Sequence, residues 1–159
     1  MRKVLYALPI IVIVFSLSCT KSTFDAGKTN LTAASNGWWV TFTLNGADVY
    51  NLGHVFFSTY NTASNTDTIW VDDLGHTWDF KVKAPINLSN LSFSANAAAN
   101  EYYAITVNIA NGKILPKAGR SRAGNITDSL YMQVTFSDDS TDTYVISGTA
   151  RTGFIEDDY

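Results

Sequence analysis

From residue 37 onward, apolar and polar side chains alternate with period two, and Gly, Asn and Asp turn signals break the alternation at short intervals. Such alternation gives each run one apolar face, and a chain built of such runs can bury those faces only by pairing strands around a common core. WWVTFTL (38–44) sets Trp38, Val40, Phe42 and Leu44 on one side, and Asn45-Gly46 follows as a hairpin signal. HVFFSTY (54–60) and TIWVDD (68–73) are the next runs, separated by a polar loop. HTWDFKVK (76–83) alternates most cleanly, with His76, Trp78, Phe80 and Val82 facing one way. NLSFSA (90–95) is short, and EYYAITVNI (101–109) directs Tyr103, Ile105, Val107 and Ile109 inward. Asn111-Gly112 reads as a second hairpin turn into KIL (113–115), and PKAGRSRAGN (116–125) as a basic loop. SLYMQVTF (129–136) directs Leu130, Met132, Val134 and Phe136 inward, and TYVISGTARTGF (143–154) is the last run, with bends expected at Gly148 and Gly153. SANAAAN (94–100) has room for one turn of helix at most, and no stretch of this domain has a helical period.

About eight or nine strands joined in series by short turns predict an all-β, antiparallel, up-and-down barrel of eight strands. A sandwich would need longer crossovers than the Asn-Gly turns allow. A barrel of this size has room for packed side chains or one small ligand. The content of 4 Trp, 8 Tyr and 9 Phe makes any lining aromatic and apolar. Alternation nominates Phe42, Phe57, Trp78, Phe80, Tyr103, Ile105, Met132 and Phe136 as lining positions, subject to the rule that a slip of one residue inverts a strand.

The first 18 residues have a different design. Arg2 and Lys3 precede an apolar run (4–15), and small residues lead to Cys19, the single cysteine of the chain. This is the layout of an exported protein's signal peptide, too short to span a bilayer, which takes about 20 residues. Small residues before a cysteine resemble the lipobox of bacterial lipoproteins, with Leu17 two rather than three positions ahead of Cys19. That resemblance implies cleavage after residue 18, acylation of Cys19, and with Thr20 following, an outer-membrane address. Residues 19–35 are polar and small and read as a flexible tether, with residues 36–159 as the barrel domain. The chain after cleavage has no thiol pair, so its stability rests on its core. Losing Arg2 and Lys3 leaves 9 Lys/Arg against 14 Asp/Glu, without a basic patch, which argues against nucleic acid as a partner.

GWWV (37–40), TYNTASNTDTIWVDDLGHTWDFKVKAPINLSNLSFSA (59–95), YYAITVNIANGKI (102–114) and SGTARTGFIEDD (147–158) together resemble a family of Bacteroidetes lipoproteins described as lipid-binding putative hydrolases. The resemblance spans nearly all of the domain. It implies a lipocalin-like, calycin-type barrel and an apolar ligand, and it brings no catalytic residue with it.

The chain's own residues offer little to the hydrolase half of that description. There is no Gly-x-Ser-x-Gly elbow, and His54 and His76 are the only histidines. In WVDDLGH (70–76) an Asp–His cluster with Ser58 or Ser94 as nucleophile competes with the plainer reading of aspartates capping a turn. Both histidines with Asp72 or Asp73 would be the one conceivable zinc set, and SDDSTD (137–142) lacks the glycine and glutamate of a calcium loop, so no metal or cofactor is expected. Trp38-Trp39 must point to opposite faces, one into the core and the other to a rim, a mouth or a covering segment. Trp70 and Trp78 are expected to pair across adjacent strands. The expectation is therefore an exported, outer-membrane-anchored lipoprotein holding a small lipid- or fatty-acid-like ligand in a barrel. A non-enzymatic surface protein that binds glycan or a protein partner through exposed aromatics is the first alternative, and a lipid-ester hydrolase the second.

Overall fold

The computed structural model describes residues 27–159. Cys19, the signal segment and the first part of the tether lie outside the described residues. Eight strands, β1 (Asn36–Leu44), β2 (Val55–Asn61), β3 (Thr68–Asp72), β4 (Lys81–Asn87), β5 (Ser92–Ala99), β6 (Thr106–Arg120), β7 (Ile126–Phe136) and β8 (Asp139–Ala150), follow one another around a closed barrel. Every neighbouring pair is antiparallel, and β1 closes the ring against β8, with Trp38 opposite Ala150 and Phe42 opposite Ile146. The expected eight-stranded up-and-down barrel is the fold observed.

Alternation explains the interior. Trp38, Val40 and Phe42 of β1, Phe57 of β2, Ile69 and Val71 of β3, Val82 and Ala84 of β4 and Met132, Val134 and Phe136 of β7 are all fully buried. The larger aliphatic side chains and phenylalanines among them each contribute about 1.5–3 kcal/mol by leaving water. The rings meet in the lumen: Phe42 stacks on Tyr144 at 4.6 Å, Phe80 lies edge-on to Phe136 at 5.4 Å, and Phe57 lies 5.9 Å from Phe80. The lumen is filled by the protein's own side chains.

One end is plugged. A short 3-10 helix (Thr32–Ala34) precedes β1, with Leu31 and Ala34 fully buried beneath it. The Trp38 indole N–H donates to Thr59 Oγ1 at 2.9 Å, and the Thr59 hydroxyl donates to the Ala34 carbonyl at 2.6 Å. The packed domain therefore starts at Leu31, inside the stretch read as tether.

Several expected elements differ. Residues 76–80 form no strand, and β4 begins at Lys81. Trp78 consequently has no cross-strand partner at Trp70, which lies opposite Lys83 and has the ammonium groups of Lys81 and Lys83 5.0 and 4.8 Å from its ring centre. Tyr103 and Ile105 precede β6 in an irregular connection. Asn111-Gly112 makes no hairpin: Asn111 has φ 55° and sits in a register shift within one long strand, so the turn-forming residue serves as a bulge. β6 continues through the predicted loop as far as Arg120. The alanine-rich stretch is strand β5, relieved at Ala97 (φ 45°).

Gly148 sits where β8 presses on β1. A Cβ there would run into the Trp39 carbonyl oxygen and lie 2.6 Å from the Val40 Cα, both backbone atoms that cannot yield. Gly148→Ala is expected to destabilise the barrel by about 3 kcal/mol or more, read as a drop in the chemical-denaturation midpoint. A loss below 1 kcal/mol would mean that the β1–β8 seam is looser than described.

Candidate functional site

The end opposite the plug is closed differently, by side chains carried on connections. Its organiser is Asp73, fully buried at the end of β3. Its carboxylate accepts from the backbone N–H groups of Gly75 (2.8 Å), Thr77 (3.1 Å), Trp78 (2.9 Å) and Phe80 (2.9 Å), and from the Thr77 hydroxyl (2.7 Å). Residues 74–80 wrap around this one carboxylate, with Leu74, Gly75 and Asp79 in the left-handed region. The plain reading of WVDDLGH, aspartates capping a turn, is the one observed.

The wrapped loop delivers Trp78 over the barrel mouth. Its indole stacks on Phe136 (4.9 Å, 9°) and lies 5.2 Å from Tyr144 and 6.0 Å from Tyr50. Its N–H donates to Asp138 Oδ1 at 3.3 Å, and the Tyr103 hydroxyl donates to Asp138 Oδ2 at 2.8 Å. Tyr144 donates to Asp139 Oδ2 at 2.6 Å, which leaves its oxygen to accept from the Tyr50 hydroxyl 3.0 Å away. Thus Tyr50 (connection 45–54), Trp78 (73–80) and Tyr103 (100–105) form an aromatic cap tied to the Asp138-Asp139 turn. Tyr50 and Tyr103 are 48% and 41% exposed. Loss of water and the Asp138 hydrogen bond push Tyr103 up to about 12, and the same causes, through Asp139, raise Tyr144 further.

Beside the cap a cavity of about 690 Å³ opens between the 73–80 and 100–105 connections, lined by Leu74, Gly75, Asp79, Tyr102 and Tyr103. The Tyr102 hydroxyl donates to Asp72 Oδ1 and the Tyr60 hydroxyl to Asp72 Oδ2, both at 2.6 Å, and Lys81 stands 3.8 Å from the same carboxylate. Asn100 ties the 100–105 connection to β4, accepting from Lys81 N–H at 2.8 Å. The strand ends and connections here carry Asp48, Asp72, Asp73, Asp79, Glu101, Asp138, Asp139 and Asp142, and Lys81 is their one Lys or Arg among the described residues. The mouth is strongly acidic.

The eight lining positions divide between these two environments. Phe42, Phe57, Phe80, Met132 and Phe136 are fully buried and pack the lumen. Trp78 and Ile105 are half-buried against that core, and Tyr103 lies on the outer side of the cap. Tyr50, Tyr144, Asp138 and Asp139 complete the cap and were not among the sequence candidates. The alternation of TYVISG (143–148) held a signal for Tyr144, whereas nothing local marks Tyr50.

The other aromatic and histidine candidates serve the barrel's flank. Trp39 lies under a covering segment, the C-terminal tail: its indole N–H donates to Asp158 Oδ1 at 3.1 Å, and Tyr159 meets it edge-on at 5.9 Å. Arg151 forms a forked pair with Asp158 (2.8 and 2.7 Å), and buried Asp157 accepts from Ala123 N–H, Asn125 Nδ2 and the Thr152 hydroxyl. Hydrogen bonds from Ser121, Thr152 and their neighbours hold Asp157 far below the usual carboxylate range. The His54 ring stacks on Tyr159 at 3.8 Å, and His76 Nδ1 lies 2.7 Å from the Phe56 carbonyl oxygen. Among the described residues, no three His, Cys, Asp or Glu side chains gather where they could hold a metal ion.

A closed eight-stranded barrel, plugged at one end by a 3-10 turn and capped by loop-borne aromatics at the other, is a lipocalin-like arrangement. The family model described as lipid-binding putative hydrolase matches residues 23–155, and the chain belongs to that family. No curated protein matches the chain.

Two titrations test this geometry. In the difference between wild-type and Tyr103→Phe tyrosinate absorbance curves, Tyr103 should ionise near 12, and in Asp138→Asn it should return toward 10. A raised tyrosine stabilises the fold below its ordinary value, and that contribution fades as pH rises toward 12. Asp157 works in the opposite direction: its contribution is complete above the ordinary carboxylate range and fades as pH falls below it. Asp157→Asn should lower the melting temperature by several degrees at neutral pH and flatten the acid limb of the stability curve, as followed by thermal melts.

Proposed function

We propose that this protein is an exported lipoprotein, acylated at Cys19 and held in the outer membrane, that binds a lipid-like molecule at the acidic mouth of its barrel. The observation that carries the binding reading is the cap. One end of the barrel is sealed by backbone and buried side chains, whereas the other is closed only by Tyr50, Trp78 and Tyr103 on connections, next to a 690 Å³ cavity. Membership of a family described as lipid-binding supports the ligand class. A signal segment, a lone cysteine after it and a polar tether support the anchor.

Because the lumen is filled, the ligand seats at the mouth, with an acyl chain against Leu74, Tyr102 and Tyr103 and its inner part entering as Trp78 leaves Phe136. Apolar contact supplies the affinity and the rim's polar groups fix the head. The carboxylates of Asp79, Asp138 and Asp139 set the head's charge. They repel a free fatty-acid carboxylate and accept hydrogen bonds from hydroxyl or ammonium groups. The fatty-acid-like ligand of the sequence reading is thereby narrowed to lipids with neutral or cationic heads. Cofactors play no part in this reading, and neither histidine is hydrogen-bonded to Ser58 or Ser94, the two hydroxyls considered as nucleophiles.

Titration of tryptophan fluorescence with monoacylglycerol and with the matching fatty acid tests it. The monoacylglycerol should bind, the fatty acid at least about tenfold more weakly at neutral pH, and Trp78→Ala should weaken binding about tenfold or more. Absence of binding by either lipid, with no lipid co-purified from the native host, would overturn the reading.

One observation favours a second reading. Trp70 stands on the outer wall beside a groove of about 430 Å³ lined by Thr62, Ala63, Ser64, Thr68 and Lys83, a hydroxyl-rich aromatic platform of the kind sugars stack on. Glycan-array binding that disappears in Trp70→Ala would support a surface accessory role. The same platform role is closed to Trp39, which the C-terminal tail covers.

A further inference from the structure

The cavity beside the cap is lined by Leu74, Gly75, Asp79, Tyr102 and Tyr103, and the state of their polar groups decides what it can offer a ligand. The donors are spent. The Tyr102 hydroxyl donates to Asp72 Oδ1 at 2.6 Å and the Tyr103 hydroxyl to Asp138 Oδ2 at 2.8 Å. The Leu74 N–H donates to Asp72 Oδ1 at 2.9 Å, and the Gly75 N–H to Asp73 Oδ1 at 2.8 Å. The acceptors are not spent. Asp79 accepts through its backbone carbonyl, from Asn100 Nδ2 at 3.1 Å, and its carboxylate has no hydrogen-bond or ion-pair partner among the described residues. A Cβ on Gly75 would stand 3.3 Å from Asp79 Oδ1, so the glycine leaves that oxygen uncrowded. Each tyrosine hydroxyl, having given its hydrogen away, keeps lone pairs. The lining side chains therefore offer acceptors and aromatic rings, and no donor.

This end of the barrel already holds one ammonium group by such means. Lys81 Nζ stands 3.8 Å from Asp72 Oδ2, with the Tyr60 and Trp70 ring centres 5.5 and 5.0 Å away. A carboxylate beside aromatic rings attracts a cation through both its charge and the ring faces. The cavity assembles the same materials, Asp79 with the rings of Tyr102 and Tyr103. It has no cation of its own, because Lys81 is the one Lys or Arg at the mouth among the described residues.

We propose that this cavity selects lipids whose head is an ammonium group, with Asp79 as the specificity-determining residue. An ammonium brings only donors and a positive charge, which match a lining of acceptors and rings. A hydroxyl head brings lone pairs that no side-chain donor of the lining meets, and it has no charge to set against Asp79. A carboxylate or phosphate head meets acceptors and like charge. The ammonium seats against Asp79 and the tyrosine oxygens, and the acyl chain continues along Leu74 toward Trp78. The proposal rests on the reading of the mouth as a lipid site and goes further by choosing among the neutral and cationic heads which that reading admits.

Tryptophan-fluorescence titration at neutral pH with dodecylamine, glycerol monododecanoate and dodecanoate compares three heads on chains of one length. The amine should bind at least about tenfold more tightly than the monoacylglycerol. Asp79→Asn keeps the side chain's shape and suits the left-handed backbone at that position (φ 55°). It should remove most of the amine's advantage while leaving the affinity for the uncharged monoacylglycerol within about twofold. Asp142→Asn, which removes a carboxylate of the mouth that is not part of the cavity lining, should leave the advantage in place. Equal binding of amine and monoacylglycerol, an advantage unchanged in Asp79→Asn, or an equal loss in Asp142→Asn would each overturn the selection of an ammonium head and leave the lipid site standing. Binding by none of the three would overturn the selection as well, and with no lipid co-purified from the native host it would remove the site itself.

Discussion

Closure of the ring is the constraint from which the rest follows. β1 is hydrogen-bonded on both edges, to β2 and to β8, so the sheet has no free edge and its interior has a fixed volume. That closure depends on the tight approach of β8 to β1 at Gly148, where no side chain fits. Once the volume is fixed, the inward positions must fill it or leave it empty, and the phenylalanines, Met132 and Tyr144 fill it. The walls and centre are then committed to stability, and recognition falls to the two ends and the outer surface.

The two ends are built from different materials. The plug consists of a backbone turn, two fully buried aliphatic side chains and a hydrogen-bond chain from Trp38 through Thr59 to Ala34, none of which can move without opening the core. The mouth consists of side chains on three connections, tied by aspartates that water could also satisfy. Asp73 reconciles rigidity with mobility there: it fixes the path of 74–80 through five hydrogen bonds yet leaves the Trp78 indole anchored only by stacking and one long bond to Asp138. An end closed by loop-borne side chains beside one closed by backbone and core is the arrangement that the proposed binding at the mouth requires.

Much of this was legible in the sequence. Strands β1, β7 and β8 follow from alternation because their inward residues are large, regular and flanked by turns. The lining positions Phe42, Phe57, Met132 and Phe136 face inward for the same reason, whereas Phe80 is buried from the connection ahead of β4 that Asp73 holds. What failed has a common cause: chemistry carried by single residues overrode the period. HTWDF alternates like a strand, but its backbone N–H groups find a better partner in the Asp73 carboxylate than in a neighbouring strand. Asn111 and Ala97 take left-handed conformations inside strands, so residues that announce turns act as bulges. Tyr103 follows the alternation on paper and falls on the outside because the strand begins three residues later. The cap joins residues 50, 78, 103, 138 and 144, a convergence that only the closed ring creates, and the tail's role rests on Asp157 and Asp158 finding partners more than thirty residues away.

The central claim is that the two ends have separate duties, one opening to a lipid and the other fixed. Amide hydrogen exchange of the protein with and without a monoacylglycerol measures this directly. The account predicts altered exchange in the connections 45–54, 73–80 and 100–105, with residues 27–35, 121–125 and 151–159 unchanged. Altered exchange at the plugged end or along the outer groove of Trp70, with the mouth connections unaffected, would contradict it.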